Sequence, residues 1–357
     1  MKLLKYRTLA LVAALALTLA GGTAAAGAPV ADVLKLPEWP VTSSSYGGKL
    51  IFSDSPELVT ADGILYMDKV AGDVRLFFHH VNATAEARRI AVILENDGPV
   101  PARVTVYQYG LGGPSEDWIA VGKAAQLAYL ASGNLYRAEV PAKGAAPLFP
   151  DLGQMIVKPN MLVNGIFDFV ADRPVTVKVM MLPVGADDAR FARRAPVLPP
   201  DEQRLRGTFD GKDRLLLPLK VYDPDKDGPV AITLGDNVLD RFLEGIDATN
   251  GTKVVNFGNY GVVYRLFLPG DGQRRLNYYL NPRGGDYAGG LGIKYQHQGE
   301  PPVATPAGRT AFGQDKLSDF AHLGSFVSSE SLWLTFSPPG ASNLPVKLVI
   351  VPESPAS

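Results

Sequence analysis

Residues 74–106 constrain the fold more than any other stretch, because they read as three β-strands in succession. Residues 74–81 carry apolar bulk on both faces, and successive side chains of a strand point to opposite sides. Residues 90–94 are short, apolar and rich in branched side chains, as expected for a strand buried in a sandwich core. Turn chemistry at 96–99 separates them from the third strand, residues 104–107. The stretch therefore predicts a β-rich fold.

The second half of the chain repeats the order of the first. At 357 residues the chain exceeds one ordinary domain, and a proline-containing, charged segment at 185–206 has the composition of a semi-rigid linker. Matching segments in the same order indicate a duplicated domain: Pro37 and Ile51 with Pro218 and Ile232, residues 64–75 with 254–265, 88–90 with 274–276, and 177–183 with 346–352. The prediction is a signal peptide at 1–26, a first domain at 27–184, the linker at 185–206, and a second domain at 207–353.

Each predicted domain is mainly antiparallel strands with one short helix. In the first domain, further strands are predicted at 63–66, 162–169 and 175–182. The 37 glycines and 29 prolines favour many turns between short strands. Trp118, Val121 and Ala125 recur at helical spacing, which predicts a helix of about 15 residues with Ser115 as its N-cap. A second short helix is expected within 314–323. We therefore predict an all-β chain of two tandem antiparallel β-sandwich domains, each with a short inserted helix.

The N-terminus predicts export. Lys2, Lys5 and Arg7 precede an apolar run at 9–20 and small residues at 23–26, the pattern of a secretory signal peptide cleaved near residue 26. The apolar run is short for a bilayer span, so we expect no stable membrane insertion after cleavage. The chain has no cysteine, which excludes disulfides and thiolate chemistry. We expect a secreted protein, extracellular or associated with the cell envelope.

The charge balance argues against nucleic acid as a partner. The formal net charge is −1, and signal removal deletes three basic residues and no acidic one. A nucleic-acid binder needs a basic patch, whereas the arginine pairs of this chain are isolated.

The most motif-like string is the D-x-D-x-D-G sequence formed by Asp223, Asp225, Asp227 and Gly228, which opens like a calcium-binding loop. The position where a bidentate glutamate belongs is Leu234. The repeat also places no carboxylate at the matching positions of the first domain. We favour a polar turn that needs no cofactor, with a calcium site as the alternative.

No catalytic residue can be assigned from the sequence. His79 and His80 are adjacent on a strand and face opposite sides, so they cannot together hold one metal without distortion. The sequence contains no nucleophile elbow and no phosphate-binding loop. The candidates for acid–base chemistry are Asp54, Glu57, Asp73, Glu95, Glu116 and Asp117, without an evident pair.

Aromatic side chains are the remaining candidates for ligand binding. Trp118 and Trp333 fit apolar faces and are assigned to the core. Carbohydrate modules of the β-sandwich class stack sugars on aromatic rings. The candidate stacking residues are Tyr278, Tyr287, Tyr295 and Trp39.

Three runs carry a family resemblance: SYGGKLIFSDSPE at 45–57, FHHVN at 78–82 and VGKA at 121–124. With these runs the chain resembles uncharacterised secreted proteins of Gram-positive-type bacteria, some of which are called copper amine oxidase N-terminal-like domain proteins. That name refers to a small stalk-like repeat, which this sequence does not contain. The resemblance therefore implies export but no copper site, no topaquinone and no amine oxidase activity.

The leading functional hypothesis is a non-catalytic exported protein of the cell envelope or extracellular space that binds polysaccharide or another surface component. The alternative is a secreted hydrolase acting on glycan or peptide. Two carboxylates in an open cleft would favour the hydrolase, and a flat aromatic strip would favour the binding protein.

Overall fold

The computed structural model describes residues 28–131, 133 and 135–354. Strands account for 51% of the chain and helices for 8%, which confirms the predicted all-β fold class. The predicted signal peptide, residues 1–26, lies outside the described residues. Within the described part of the chain, neither helix has the length and apolar character needed to cross a bilayer.

In the described part of the chain, twenty-one strands form three sheets. The strands of the first half are β1 Val41–Tyr46, β2 Lys49–Ser53, β3 Leu58–Val59, β4 Gly63–Asn82, β5 Arg88–Asn96, β6 Ala102–Ser115, β7 Tyr136–Val140, β8 Gly144–Pro147 and β9 Leu162–Pro183. The strands of the second half are β10 Arg206–Asp210, β11 Asp213–Pro218, β12 Val230–Leu234, β13 Glu244–Asp247, β14 Thr252–Val255, β15 Val263–Phe267, β16 Arg275–Pro282, β17 Gly289–Tyr295, β18 Gln298–Thr305, β19 Ala321–Val327, β20 Leu332–Phe336 and β21 Val346–Pro352.

Two of the sheets take strands from both halves. The six-stranded sheet has the order β1-β11-β15-β20-β17-β18, and the main path of the eleven-stranded sheet is β14-β13-β10-β2-β4-β9-β5-β8. The four-stranded sheet, β12-β21-β16-β19, belongs to the second half alone. Most pairs are antiparallel as predicted, but β2 and β3 pair with β4, and β11 with β15, in parallel.

Two strands are much longer than predicted. The sequence predicted separate strands at 63–66 and 74–81, but both belong to β4, which has 20 residues. Likewise 162–169 and 175–182 are parts of β9, which has 22. β4 and β9 pair along nearly their whole length, with register shifts near Ile64 and Val70. Strand pairing continues through the polar residues between the apolar segments, because a bulge bends a strand without ending the pairing.

The predicted helix forms as α1, Trp118–Ala131. Its N-cap is Asp117 rather than the predicted Ser115, because the Asp117 carboxylate accepts a hydrogen bond from the Ala120 amide at 3.0 Å. α1 lies close against β6. A Cβ added to Gly110 or Gly112 would stand 2.1 Å from helix backbone, so the packing needs glycine at both positions.

The helix predicted in 314–323 is absent from the described residues of the second half. Asp315 instead accepts hydrogen bonds from the Leu317 and Ser318 amides, which closes a turn before β19. A short helix, α2 Asp188–Ala192, lies inside the predicted linker. The two 3-10 helices are Val33–Lys35 and Pro150–Gln154.

The predicted boundary at 185–206 is crossed by both pairing and packing. β1 pairs with β11, β2 pairs with β10, and one hydrophobic core combines Leu50 and Phe77 with Tyr264 and Phe336. A second core contains first-half residues only. Two separately folding domains stay a prediction, and the shared sheets argue against it because each half would expose unpaired strand edges alone.

Candidate functional site

The aromatic residues proposed for sugar stacking lie in the core. Tyr278, Tyr287 and Trp39 are 3%, 0% and 5% exposed, and Tyr295 is half-buried. Their rings contact other rings, such as Trp39 with Tyr222 at a centroid distance of 5.2 Å. No open face remains on the three buried rings for a sugar to stack upon.

The aspartate-rich turn at 223–228 is held by its own contacts. Asp223 pairs with Lys226, Asp225 with Arg274 and Asp227 with Lys220, each at 2.6 Å. Backbone amides also hold the turn: the Asp223 amide donates to the Asp227 carboxylate and the Asp225 amide to the Asp223 carboxylate. The hydrogen bond from Lys226 lowers the pKa of Asp223. Among the described residues no group of three or more His, Cys, Asp or Glu is placed to hold a metal.

A groove of about 860 Å³ lies over β10, β13 and β14. Ile246 and Phe257 form apolar parts of its wall and are 43% and 53% exposed. The Phe257 ring meets the Phe242 ring edge-on at 5.9 Å. Three basic and three acidic residues also line the groove. They are Lys49, Arg204 and Lys253, and Asp68, Asp210 and Glu244. The groove thus joins exposed apolar faces to balanced polar groups.

A smaller pocket of about 220 Å³ lies where the two halves meet. The first half contributes Asp54, Glu57 and His79, and the second contributes Tyr260 and the loop 340–343. Gln203 lines both this pocket and the groove, so the two depressions adjoin. We call it the acidic pocket.

The turn after β2 positions the two carboxylates of the acidic pocket. β2 runs parallel to β4 with Ser53 opposite Phe78, so the residue that follows β2 lies beside His79. Asp201 fixes the turn by accepting the Ser55 hydroxyl at 2.7 Å and the Glu57 amide at 2.9 Å. Both carboxylate oxygens of Asp201 are thereby engaged.

The acidic pocket holds negative charge without a matching cation. Among the described residues that line it, none is lysine or arginine. Oδ1 of Asp54 is buried and has no hydrogen-bond partner in the described structure. Burial, followed by the neighbouring Glu57 and Asp201, raises the pKa of Asp54 well above its ordinary value. Burial and Asp201 also raise the pKa of Glu57.

The two histidines differ in their partners. His80 is satisfied, because its Nδ1 lies 2.9 Å from the Pro56 carbonyl and its Nε2 lies 2.9 Å from the Ser53 hydroxyl. His79 is 3% exposed, its Nδ1 has no partner in the described structure, and its Nε2 lies 3.9 Å from the Glu57 carboxylate. Burial lowers the pKa of His79 to about 3, with a smaller contribution from His80. His79 is therefore neutral at physiological pH.

The loop 340–343 closes the far side of the acidic pocket. A Cβ on Gly340 would lie 2.5 Å from Nδ1 of His79, and a Cβ on Gly122 would lie 1.8 Å from the Gly340 carbonyl oxygen. Gly340 thus fits tightly between α1 and His79. Ala341 has a φ of 59°, a strained conformation for a residue with a Cβ. The Tyr260 hydroxyl anchors the loop by donating to the Ser342 carbonyl at 2.6 Å.

The three runs that carry the family resemblance meet here. The run 45–57 supplies Asp54 and Glu57, the run 78–82 supplies His79, and the run 121–124 supplies Gly122, which contacts the pocket wall. Both acids were acid–base candidates from the sequence, without an evident pair. The sequence does not show that the three runs meet in space, because the first two contain strands and the third lies in α1.

Comparisons with known proteins do not identify the chain. It matches no family profile and no curated protein. Among solved structures it is similar to the CUB1-EGF-CUB2 domains of rat MASP-1, at 8% identity and a TM-score of 0.20, covering 87% of this chain and 97% of the other. It is also similar to PNGF-II, at 10% identity and a TM-score of 0.18, covering 89% and 66% respectively. Likenesses this low carry no argument about fold or function.

Proposed function

We propose that this protein is an exported, non-catalytic binding protein of the cell envelope or extracellular space, and that its groove holds an uncharged polysaccharide. The observation that carries the proposal is the groove over β10, β13 and β14, which combines exposed Ile246 and Phe257 with polar groups of both signs. Its volume, about 860 Å³, lies within the ordinary range for ligand sites.

The chemistry of the groove favours a sugar polymer over a polyanion. Three basic and three acidic side chains line it, so no net charge selects an anionic chain. Sugar hydroxyls both donate and accept hydrogen bonds, which suits a rim with ammonium and carboxylate groups. The C–H faces of a sugar ring pack against an exposed aromatic or aliphatic side chain, here Phe257 and Ile246.

Co-sedimentation with isolated cell wall and with insoluble neutral polysaccharides tests the proposal. We expect wild-type protein to sediment with at least one of them, and Phe257→Ala to lose about tenfold or more in affinity because it removes the exposed ring. Leu219→Ala is the matched control, since Leu219 is 66% exposed but does not line the groove. Equal binding by both variants and wild type would refute the groove as the site.

Hydrolysis is the second candidate function, and one observation favours it. Asp54 and Glu57 share one pocket, and burial with Glu57 nearby raises the pKa of Asp54 as a general acid requires. The acidic pocket adjoins the groove through Gln203. A polymer lying in the groove would then present a bond to these carboxyls.

Release of reducing ends from cell-wall glycan separates the two functions. If the chain hydrolyses glycan, Asp54→Asn and Glu57→Gln must each abolish release, while Asp97→Asn, an exposed acid outside both the groove and the acidic pocket, must not. If wild-type protein binds the glycan but releases no reducing ends, the hydrolase function is refuted and the binding function is retained.

A further inference from the structure

We propose that the acidic pocket binds a protonated primary amine, carried either by a small ligand or by a side group of a larger one. The inference rests neither on the groove nor on hydrolysis. It concerns a site formed by both halves of the chain, where Asp54 and Glu57 face Tyr260 and the loop 340–343.

The acidic pocket lacks a counter-charge among its described lining residues. Other buried carboxylates near the boundary have a cation, as Asp168 does with Arg75 and Asp247 with Arg206. In the acidic pocket the described lining residues include no lysine or arginine, although Asp54 and Glu57 share the cavity and Glu57 contributes to the raised pKa of Asp54. Buried charges are normally paired, so this pocket is suited to a cation from outside.

His79 gives independent support, because it does not belong to the acidic pair. Its side chain is nearly fully buried and lines the pocket, and its Nε2 lies 3.9 Å from the Glu57 carboxylate, beyond hydrogen-bond distance. Its partnerless Nδ1 faces Gly340 instead. Buried polar atoms without partners are few in native proteins, and each calls for an explanation. An ammonium that inserts between His79 and Glu57 would donate a hydrogen bond to Nε2 and supplies one.

The pocket's shape and walls select an ammonium group over a metal ion. A calcium site needs six to eight oxygen ligands, whereas Asp201 is already engaged and only two carboxylates remain. The rings of Phe77 and Tyr260 complete the wall, 6.5 Å apart between centroids. A carboxylate pair with aromatic rings matches an ammonium, which donates three hydrogen bonds and is attracted to ring faces.

The cavity volume limits the ligand to a few heavy atoms beyond the ammonium. About 220 Å³ equals the liquid volume of roughly seven water molecules. Glu57, at the mouth, keeps 39% of its side chain exposed, while Phe77 and Gly340 lie at the buried end. The amine therefore enters past Glu57, and whatever carries it can remain outside.

Saturation-transfer NMR on the full mature chain tests this inference with n-butylammonium chloride and with n-butanol at constant ionic strength. We expect saturable binding of n-butylammonium and binding of n-butanol that is weaker by about tenfold or more, because only the cation meets the carboxylates. Equal binding of the two probes would overturn the inference.

Variants locate the binding. Asp54→Asn and Glu57→Gln should each weaken n-butylammonium binding by about tenfold or more, whereas Asp97→Asn, whose side chain is 71% exposed and lines neither the groove nor the acidic pocket, should leave it unchanged. If Asp54→Asn does not fold, the partly exposed Glu57→Gln decides alone. Undiminished binding in Glu57→Gln would assign the cation to another surface. These outcomes are independent of polysaccharide co-sedimentation, which reports on Phe257.

Discussion

Two polar clusters lie at the boundary between the halves, and they are built on opposite principles. Around Arg75, Asp168 accepts two hydrogen bonds from the guanidinium, at 2.6 and 2.8 Å, and Lys212 approaches the same carboxylate at 3.3 Å. Burial alone would raise the pKa of Asp168, but Arg75 and then Lys212 outweigh it and lower the pKa. In the acidic pocket no cation offsets the effect of burial, so burial raises the pKa of Asp54.

The presence or absence of a cation distinguishes a structural cluster from the binding site that we propose. The Arg75 cluster joins the halves with internal charges, since Arg75 also donates to the Lys212 and Gly261 carbonyls. The acidic pocket is a cavity between the halves. It retains two unfavourable features, which are the partnerless Oδ1 of Asp54 and the strained backbone of Ala341. Such features cost stability and are characteristic of functional sites. Equivalent substitutions in the two clusters should therefore have opposite effects.

Asp168→Asn should have the largest effect. It leaves Arg75 and Lys212 buried with too little negative charge, so we expect the free energy of unfolding to fall by about 3–5 kcal/mol. Urea unfolding measures the change, with the exposed Asp210→Asn as control, for which about 0.5 kcal/mol or less is expected. A loss below about 1 kcal/mol for Asp168→Asn would mean that the cluster does not join the halves.

Acid should destabilise the protein through the two buried histidines. Burial lowers the folded-state pKa of His79 to about 3 and of His80 to about 4, whereas an unfolded histidine titrates near 6.5. The unfolded state thus takes up protons first as the pH falls below 6.5. The stability associated with neutral histidines is complete above 6.5 and is lost progressively toward pH 4 and below, by at most about 1.4 kcal/mol per pH unit for each histidine.

The acidic pocket opposes this trend, so the histidine contribution must be isolated by substitution. Asp54 and Glu57 have raised pKa values and bind protons more readily when folded, which stabilises the folded state as the pH falls. Urea unfolding of wild type, His79→Gln and His80→Gln at pH 7 and 4.5 should show a shallower acid loss in each variant. Parallel pH dependences in all three would mean that the histidines do not titrate differently on unfolding.

Asp54→Asn should raise stability, the reverse of the same substitution at Asp168. At pH 7 the unfolded state ionises Asp54 freely, while the folded pocket disfavours the carboxylate through burial and Glu57. Removing the ionisable group should increase the free energy of unfolding by on the order of 1–2 kcal/mol at pH 7. The gain should shrink as the pH falls and disappear below about pH 3, where the unfolded carboxyl is also largely protonated. Destabilisation at pH 7 would show that Asp54 has a partner that compensates its charge.

Local patterns in the sequence predicted the elements but not their partners. The strands within 74–106 and the helix α1 follow from side-chain periodicity, which is a local property. The repeat matched 88–90 with 274–276 and 177–183 with 346–352. These segments pair in a similar way in each half: Arg88 lies opposite Pro183, and Leu276 lies opposite Pro352. The match of 64–75 with 254–265 does not, because one lies within β4 and the other spans β14, a turn and β15.

The candidate site could not be predicted either, because its residues come from segments that are far apart in the sequence. Arg75 and Arg265 occupy matched positions, yet Arg75 is buried in the charge cluster and Arg265 is exposed on β15. Asp54 meets His79 only through the parallel pairing of β2 with β4, and the pocket's other wall comes from Tyr260 and the loop 340–343. Contacts at such sequence separation leave no periodic trace in the chain.

The aspartate turn at 223–228 is a third kind of cluster and should show the smallest effect. Asp223, Asp225 and Asp227 each have a basic partner and lie near the surface, where ion pairs contribute at most about 1 kcal/mol. Since the basic partners already offset the repulsion between the carboxylates, the turn does not need an ion to form. We expect Asp225→Ala to change the free energy of unfolding by less than about 1 kcal/mol. Melting temperatures in millimolar calcium and in chelator should agree, because a specific site at a hundredfold excess over Kd would add about 2.7 kcal/mol. If calcium raises the melting temperature by several degrees and Asp225→Ala abolishes the rise, the turn is a calcium-binding site.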